Sequence, residues 1–319
     1  MRRIPLIDLD NSAGVAGEIE KACRDIGFMY VANHGIPSRL IDDVRMSVVH
    51  YFEQPVEARL RDRITSDNYR GYIPFGFFSA NSGDGASDAD SYEGYKLHFE
   101  VPANDPLCKS CELYGPNKWP ANPPGFQHHL LNYWQECDRI AAVLLGAMAE
   151  VLGTSKDDFL ELFESPLTNM TLLHYPPQNP DETGFGIHPH KDTDALTILA
   201  EDPVGGLMVK CRDSDEWMDA AAPGDALTVN IGDLMELWSG GYFVSTPHKV
   251  VNASGAERYS FPYFAVPRFD TVVEPLITPQ AGFSRSSVHV GDVSKEVWRT
   301  NWPDVVSDKP HFDLGTLED

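Results

Sequence analysis

The most restrictive feature of the sequence is a series of short, apolar, β-type segments that begins after Pro166. Glycine, proline and aspartate separate these segments, and the pattern predicts no helix between them. Closely spaced short strands of this kind are typical of antiparallel sandwiches, jelly rolls and barrels. The segments lie at 170–175, 196–200, 207–210, 226–231, 248–251 and 259–266.

A long helix is predicted directly upstream of this β region. Apolar side chains recur every three or four positions from Phe126 onward, and Gly153 ends the pattern. A short acidic helix is predicted to follow at 158–164. The aromatic residues of the long helix, Phe126, Tyr133 and Trp134, are interpreted as core packing.

The first third of the chain is predicted to be mixed α/β. One helix is expected to be capped by Ser12 and stopped by Gly27, and a buried strand follows at 28–31. Ser38 is expected to cap a second helix. The overall fold class is therefore α+β, with an N-terminal region at 1–125, scaffold helices at 126–165, a β core at 166–280 and a C-terminal extension at 281–319.

Two stretches are predicted to be irregular. Residues 79–94 carry four acids and no base, which favours a solvated loop or a lid over a calcium loop because the required glycine spacing is missing. Residues 106–125 are rich in proline. They include Cys108 and Cys111, which resemble half of a zinc ribbon but are interpreted as free thiols because no second cysteine pair exists.

The net charge of the chain limits the classes of molecule that it is expected to bind. Lys and Arg total 25 against 48 Asp and Glu, a net charge of −23, which disfavours nucleic acid and anionic membranes. The most apolar window, 140–149, is too short to span a bilayer. Five cysteines in a chain of 319 residues argue against a disulfide framework, so a reducing cytoplasm is the expected compartment. The expected partner is a small molecule.

The candidate metal ligands are His190, Asp192 and His248. In an extended strand His190 and Asp192 would share a face, and two imidazoles with one carboxylate form the facial triad of non-haem Fe(II) sites. The alternatives are a hydrogen-bonded His–Asp pair with an unrelated core histidine, or zinc in place of iron. His188 is interpreted as a histidine at the rim of the pocket, although contact with the substrate or metal environment stays open.

His-x-Asp spacing alone is weak support for a metal site. The chain also contains His311-Phe312-Asp313, in a polar tail, and His98-Phe99-Glu100, which fits an ordinary strand; both are interpreted as incidental. His34, in Asn33-His34-Gly35, is interpreted as part of a turn.

Arg258 and Ser260 add a candidate carboxylate clamp. They follow His248 closely and would share one strand face. A guanidinium can hold a carboxylate through two parallel hydrogen bonds, with the hydroxyl beside it. A facial metal site and a nearby clamp together are what a chelating keto acid requires.

The chain resembles the isopenicillin N synthase-like branch of the Fe(II)/2-oxoglutarate-dependent dioxygenases across roughly residues 3–280. The motifs that carry the resemblance occur in the order expected for that family. They are Ile4-Pro5-Leu6-Ile7-Asp8, Gly27-Phe28, Asn33-His34-Gly35-Ile36-Pro37, Tyr69-Arg70-Gly71-Tyr72, Gly115-Pro116-Asn117-Lys118-Trp119-Pro120, Tyr175-Pro176-Pro177, His190-x-Asp192, Leu196-Thr197, Gly232-Asp233, Ser245-Thr246-Pro247-His248 and Arg258-x-Ser260.

The resemblance implies a double-stranded β-helix, a jelly-roll core with iron at its mouth. It assigns His190, Asp192 and His248 to Fe(II), and Arg258 and Ser260 to the distal carboxylate of 2-oxoglutarate, with support from Tyr175. The implied reaction couples O2 and the decarboxylation of 2-oxoglutarate to succinate and CO2 with oxidation, most often hydroxylation, of a small organic substrate.

Three other functions remain compatible with the residues. An oxidase of the isopenicillin N synthase type would use iron and O2 without a keto acid, and Arg258 could then bind a substrate carboxylate. Decomposition of 2-oxoglutarate to ethylene is a second variant. A binding protein that kept the barrel and lost its chemistry is disfavoured by the intact triad.

Overall fold

Two β-sheets enclose a common apolar interior, and helices cover the outer face of the larger sheet. The structure, a computed structural model, describes residues 3–11, 14–77, 90–177, 185–212, 214–252 and 254–300. The strands are β1 (Leu6–Asp8), β2 (Phe28–Ala32), β3 (Gly71–Ile73), β4 (Glu93–His98), β5 (Asn169–Tyr175), β6 (Ile187–His190), β7 (Leu196–Leu199), β8 (Leu207–Lys210), β9 (Trp217–Asp219), β10 (Leu227–Ile231), β11 (His248–Val250), β12 (Arg258–Ser260), β13 (Tyr263–Ala265), β14 (Val272–Val273) and β15 (Val288–His289).

The helices lie mainly in the N-terminal half and at the C-terminal end of the described chain. They are α1 (Val15–Asp25), α2 (Ser38–Phe52), α3 (Val56–Arg59), α4 (Leu107–Ser110), α5 (Phe126–Val151), α6 (Lys156–Glu161), α7 (Asp233–Trp238) and α8 (Val290–Thr300), with a 3-10 turn at Leu60–Asp62.

The sheet pairing is that of a sandwich. The larger sheet has the order β1-β2-β10-β7-β13-β5-β4-β3, with β12 also paired to β5, and the smaller sheet has the order β6-β11-β8-β9. The pairs within the smaller sheet and those from β10 to β3 in the larger sheet are antiparallel, whereas β1 and β2 run parallel. The predicted α+β class is confirmed.

The two faces of the larger sheet belong to different cores, as β5 illustrates. Met170 and Leu172 join the large cluster that includes the buried side of α5, whereas Leu173 and Tyr175 join residues of β8 and β11 in the interior between the sheets. Alternate residues of a strand point to opposite faces, so one short strand serves both cores.

Several local predictions are confirmed. Helix α5 covers the predicted span, and its residues Phe126, Tyr133 and Trp134 are buried. Gly27 ends the first helix region with φ at 73°, and a Cβ there would lie 2.1 Å from the carbonyl oxygen of Val244. Only glycine fits this close approach without strain. The proposed Ser12 cap lies outside the described residues.

Other local predictions are wrong. Ser38 is the first residue of α2 rather than its cap, and the helix starts after Pro37, whose fixed φ suits that position. Glu93 and Gly94 begin β4 instead of ending a loop, because β4 pairs with β5 along its whole length. The rest of the predicted loop at 79–94 lies largely outside the described residues.

The β region also differs from its prediction in three places. Helix α7 interrupts the strands after β10. The segment 259–266 is split into β12 and β13 at Phe261 and Pro262, since proline has no N–H to donate to a ladder. Strand β9 was not predicted. Strand β6, on which His190 was expected, contains Pro189 and lies at the edge of its sheet, where proline is tolerated.

The C-terminal part of the described chain packs against the N-terminal region. Val290 and Val293 of α8 are buried, and the Trp298 ring stacks on Tyr69 with centroids 4.6 Å apart. Among the described residues, no helix combines the length and apolar character that crossing a bilayer demands. The predicted boundaries at 125, 165 and 280 stay predictions.

Candidate metal centre and cosubstrate site

His190 and His248 are neighbours in the smaller sheet. They are direct register partners of β6 and β11, and their ring centroids lie 4.3 Å apart. Nδ1 of His190 donates to the carbonyl of His188 at 2.8 Å, and Nδ1 of His248 donates to that of Thr246 at 3.2 Å. These bonds fix the tautomer in which each Nε2 carries the free lone pair that a metal needs.

The loop that carries His248 is fastened to the first helix region. The Thr246 hydroxyl donates to the carbonyl of Ile26 at 2.6 Å, next to Gly27 and its close contact with Val244. The Phe28 ring contacts the His248 ring edge-on at 5.5 Å. The N-terminal region therefore helps to set the position of one candidate ligand.

Asp192 completes the group, although not by strand alternation. Strand β6 ends at His190, so the expectation that both residues share one strand is wrong. Asp192 follows in the irregular segment between β6 and β7, where its carbonyl accepts from the backbone N–H of Asp233 at 2.8 Å. Its Oδ1 lies 3.8 Å from Nε2 of His190 and its Oδ2 lies 3.7 Å from Nε2 of His248.

The three residues have the donor set of a 2-His-1-carboxylate site. Among the described residues, His190, Asp192 and His248 form the group whose ligand atoms all lie within 4.8 Å of one another. Two side chains of the larger sheet orient the carboxylate: the Thr197 hydroxyl and the Asn230 amide donate to Asp192 Oδ2 at 2.6 and 2.8 Å. Oδ1 has no hydrogen-bond partner in the described part of the chain and is open to a metal.

The electrostatics keep these groups in the forms that bind a metal. Burial alone would raise the pKa of Asp192, but His248, His190 and the bonds from Thr197 and Asn230 outweigh it and lower that pKa. Burial, with the charge of His190, lowers the pKa of His248 to about 4. Burial and the charge of Asp192 raise the pKa of the adjacent Asp194 well above its usual range, which favours its neutral form.

Arg258, Tyr175 and Ser260 form the candidate cosubstrate cluster. Arg258 and Ser260 are buried on the same side of β12, and Arg258 is the register partner of Tyr175, whose ring lies 4.7 Å from the guanidinium carbon. Nε of Arg258 donates to the carbonyl of Gly205 at 2.6 Å. Within the described residues, its buried Nη1 has no hydrogen-bond partner, which fits a site for an external carboxylate.

His188 has a structural role that the sequence left open. Its Nδ1 and its backbone N–H both contact Asp90 Oδ1, at 2.7 and 3.0 Å, while its carbonyl holds His190. His188 thus anchors the strand that presents His190. Asp90 had been included in the solvated loop, and nothing in its spacing indicated this contact.

The remaining candidates behave as interpreted. Nε2 of His34 donates to Asp225 in a turn where Asn33 has φ of 51°, and His98 ends strand β4. Cys108 and Cys111 are free, and among the described residues neither belongs to a metal-binding group. The predicted His311 pair lies outside the described residues.

Sequence reasoning missed three residues that face this site. Thr197 was noted only as part of a motif, and Asn230 and Lys96 were given no role. Lys96 lies in β4, where its Nζ donates to Asn169 Oδ1 at 2.6 Å and to Thr171 Oγ1 at 2.8 Å. The alternation of Gly94, Lys96 and His98 on one side of β4 was the available signal.

Both the N-terminal region and the β core of the chain match known protein families. Residues 4–122 match the family described as non-haem dioxygenase in morphine synthesis N-terminal, and residues 167–267 match the 2OG-Fe(II) oxygenase superfamily. Homoarginine-6-hydroxylase 2-ODD-C23.2 of Arabidopsis thaliana is 33% identical over 278 residues, which cover 84% of this chain and 75% of that protein. A 1-aminocyclopropane-1-carboxylate oxidase of Dictyostelium discoideum is 28% identical over 318 residues, covering 88% and 85%.

A solved structure supports the fold. A full-length protein of Neurospora crassa, solved in complex with alpha-KG and thymine, superposes with a TM-score of 0.80 at 23% identity, covering 94% of this chain and 97% of that chain. The expected jelly-roll core is confirmed by this likeness together with the match to the second family.

Proposed function

The chain belongs to the 2OG-Fe(II) oxygenase superfamily and is an Fe(II)- and 2-oxoglutarate-dependent dioxygenase, and we propose that it hydroxylates a small organic substrate at the centre formed by His190, Asp192 and His248. The convergence of these three side chains, with each imidazole fixed in its metal-binding tautomer, is the observation that carries the proposal.

The triad residues would hold Fe(II) on one side and leave the opposite positions accessible. Bound Fe(II) and 2-oxoglutarate supply the oxygen-activating chemistry, in which the cosubstrate ends as succinate and CO2. Thr197 and Asn230 both donate to Asp192 Oδ2, so Oδ1 would be the oxygen that binds Fe(II). Such supporting hydrogen bonds typically contribute 10- to 100-fold to metal affinity.

Arg258 would receive the distal carboxylate of 2-oxoglutarate. Its Nε is committed to Gly205, which fixes the guanidinium plane, and its unpartnered Nη1 supplies a charge-assisted hydrogen bond. Ser260 is buried on the same side of the strand, and Tyr175 covers one face of the guanidinium. Holding the cosubstrate by its far end sets the direction from which its keto acid end meets the metal.

Small molecules are the expected substrates for two reasons. One relative is named for hydroxylation of homoarginine, and the Neurospora crassa structure contains thymine. The net charge of −23 disfavours nucleic acid, which requires clustered cations. We place the reaction in the cytoplasm on the basis of the cysteine pattern.

The experiment is an anaerobic titration of the purified protein with Fe(II) and 2-oxoglutarate, followed by visible absorption. We expect a metal-to-ligand charge-transfer band that requires both additions, and we expect His190→Ala to abolish the band and O2 uptake. His128→Ala, on the exposed side of α5, is the matched control and should behave as the parent protein.

Three results would contradict the proposal. If the band does not form in the parent protein, or if it persists in His190→Ala, these three residues are not the metal centre. Substrate turnover without any keto acid would favour an oxidase, the second candidate, which one relative is named for.

A further inference from the structure

Lys96 is a cation inside the β-sandwich that the reaction described above does not use. Its register partner is Thr171 of β5, and both of its recorded hydrogen-bond acceptors are neutral: Asn169 Oδ1 and Thr171 Oγ1. Its Nζ lies 5.3 Å from the centre of the Phe264 ring. Lys96, Asn169 and Phe264 all keep some accessible surface, although they lie among buried residues.

No carboxylate pairs with Lys96 among the described residues, whose salt bridges involve other cations. Lys191 and Arg285, the other cations near the metal ligands, both pair with Asp233 and Glu236 at 2.8–3.8 Å. A cation withdrawn from water needs a nearby anion, since neutral acceptors compensate only part of the desolvation cost.

The charges of the loaded site leave Lys96 unbalanced. The two charges of Fe(II) and the one of Arg258 equal those of Asp192 and the two carboxylates of 2-oxoglutarate. Burial lowers the pKa of Lys96 to about 8, with Asp192 and Asp194 acting in the opposite direction, so the ammonium form still predominates at neutral pH. Among the described residues its hydrogen bonds go only to neutral acceptors, so the ammonium is available to a carboxylate of the substrate.

Lys96 cannot share the carboxylate that Arg258 would hold. Along β5, Lys96 is in register with Thr171 and Arg258 with Tyr175. Four residues of an extended strand span about 13 Å. The two cations thus define two separate anion positions.

The neighbours of Lys96 present further donors. Because the Asn169 oxygen accepts from Lys96, its amide NH2 is directed elsewhere, and the Thr171 hydroxyl keeps its own proton to donate. In the described part of the chain, neither the Asn169 amide NH2 nor the Thr171 hydroxyl donates to an acceptor. An ammonium, an amide NH2 and a hydroxyl on two adjacent strands are complementary to a carboxylate.

We propose that Lys96 is the specificity-determining residue of this dioxygenase and that the substrate is a small organic acid whose carboxylate is bound by Lys96, Asn169 and Thr171. This inference rests on the proposed function, because it places the acid beside the metal centre. Phe264 would contact the apolar part of the acid next to its carboxylate.

The test uses the full-length protein loaded anaerobically with Fe(II) and saturating 2-oxoglutarate. The probes are matched acid and amide pairs, phenylacetate with phenylacetamide and hexanoate with hexanamide, and the readout is the shift of the charge-transfer band as each probe binds. We expect at least one acid to bind about 10- to 100-fold more tightly than its amide, the range for a charge-assisted hydrogen bond.

Lys96→Met should remove this preference by lowering acid affinity 10- to 100-fold without weakening the amide, whereas Lys96→Arg should keep acids preferred. Lys21→Met, on the exposed side of α1, is the matched control and should retain the parent preference. The band formed before any probe is added reports the metal centre and a folded protein, independently of Lys96.

Three results would overturn the proposal. If the parent protein binds each acid and its amide with equal affinity, the proposal is wrong and no variant is needed to show it. If the acid preference survives Lys96→Met, another residue binds the carboxylate of the acid. If acid affinity falls as the concentration of 2-oxoglutarate is raised, the acid competes for Arg258. Failure of the band to form would instead contradict the proposed function.

Discussion

The two sheets of this fold contribute differently to stability and to the site. In the larger sheet, β7 and β10 are buried along their whole length, because helices cover one face and the smaller sheet covers the other. In the smaller sheet, β8 alternates buried and half-buried residues, and the residues of β6 are half-buried or exposed. One sheet is a core element, and the other has a face open to solvent.

The candidate metal centre takes different parts from each sheet. Both imidazoles come from the smaller sheet, where the pairing of His190 with His248 sets their spacing. The hydrogen bonds that orient Asp192 come from Thr197 and Asn230 of the larger sheet. The more exposed sheet therefore carries the candidate histidine ligands, while the buried sheet fixes the carboxylate, so stability and metal affinity should respond to different substitutions.

The largest expected difference is in the free energy of unfolding. Leu172→Ala, in the buried outer core of β5, should cost about 2–5 kcal/mol because it opens a cavity between β5 and the helices. Met208→Ala, at a half-buried position of β8, should cost less than about 1 kcal/mol. Denaturant titration of both variants measures this difference, and equal costs would mean that the sheets are equally packed.

A smaller change is expected in metal affinity. Thr197→Val removes the hydroxyl that donates to Asp192 but keeps the shape of the side chain, so Fe(II) affinity should fall about 10- to 100-fold. Thr197→Ser keeps the hydroxyl and is the control. Anaerobic Fe(II) titration measures both, and an unchanged affinity in Thr197→Val would show that the larger sheet does not tune the centre.

The sequence predicted those parts of this comparison that depend on local pattern. Helix α5 was predictable because Leu130, Cys137 and Leu144 recur at helical spacing and are all buried. Arg258 and Ser260 share a strand face as alternation requires. The candidate histidine ligands were predicted from the resemblance of whole motifs, since His-x-Asp spacing alone also occurs at His311.

The predictions that failed concern residues whose contacts lie far away in the sequence. Asp192 reaches the site from the irregular segment between β6 and β7 because Asp233 and Asn230, on or beside β10, fix its backbone and side chain. Lys96 in an alternating strand looks like an edge lysine facing water until β5 pairs with β4 and places Asn169 beside it. A local pattern does not contain that pairing.

The smallest expected effect concerns the polar patch on the outer face of the larger sheet. Its centre is His174 of β5, whose Nδ1 contacts Glu93 Oε1 at 2.8 Å and whose Nε2 contacts the half-exposed Glu257. The groups that face His174 and Glu93 come from five elements and the segment before β12: Glu93, Glu257, Arg59, Tyr72, Tyr259 and Phe52. The patch thus combines charged groups with aromatic rings around one histidine.

This patch should make stability depend on pH. Burial alone would lower the pKa of His174, but the bonds to Glu93 and Glu257 outweigh it and raise that pKa. The stabilisation is therefore fully present below the unfolded value of about 6.5 and is lost as the pH rises through the folded value. We expect the stability advantage over His174→Gln, below about 1 kcal/mol because Glu257 is screened by solvent, to shrink as the pH rises above about 6.5. Thermal unfolding across that range measures it, with His128→Gln as control; an advantage that grows with pH would mean that His174 is neutral in the folded protein.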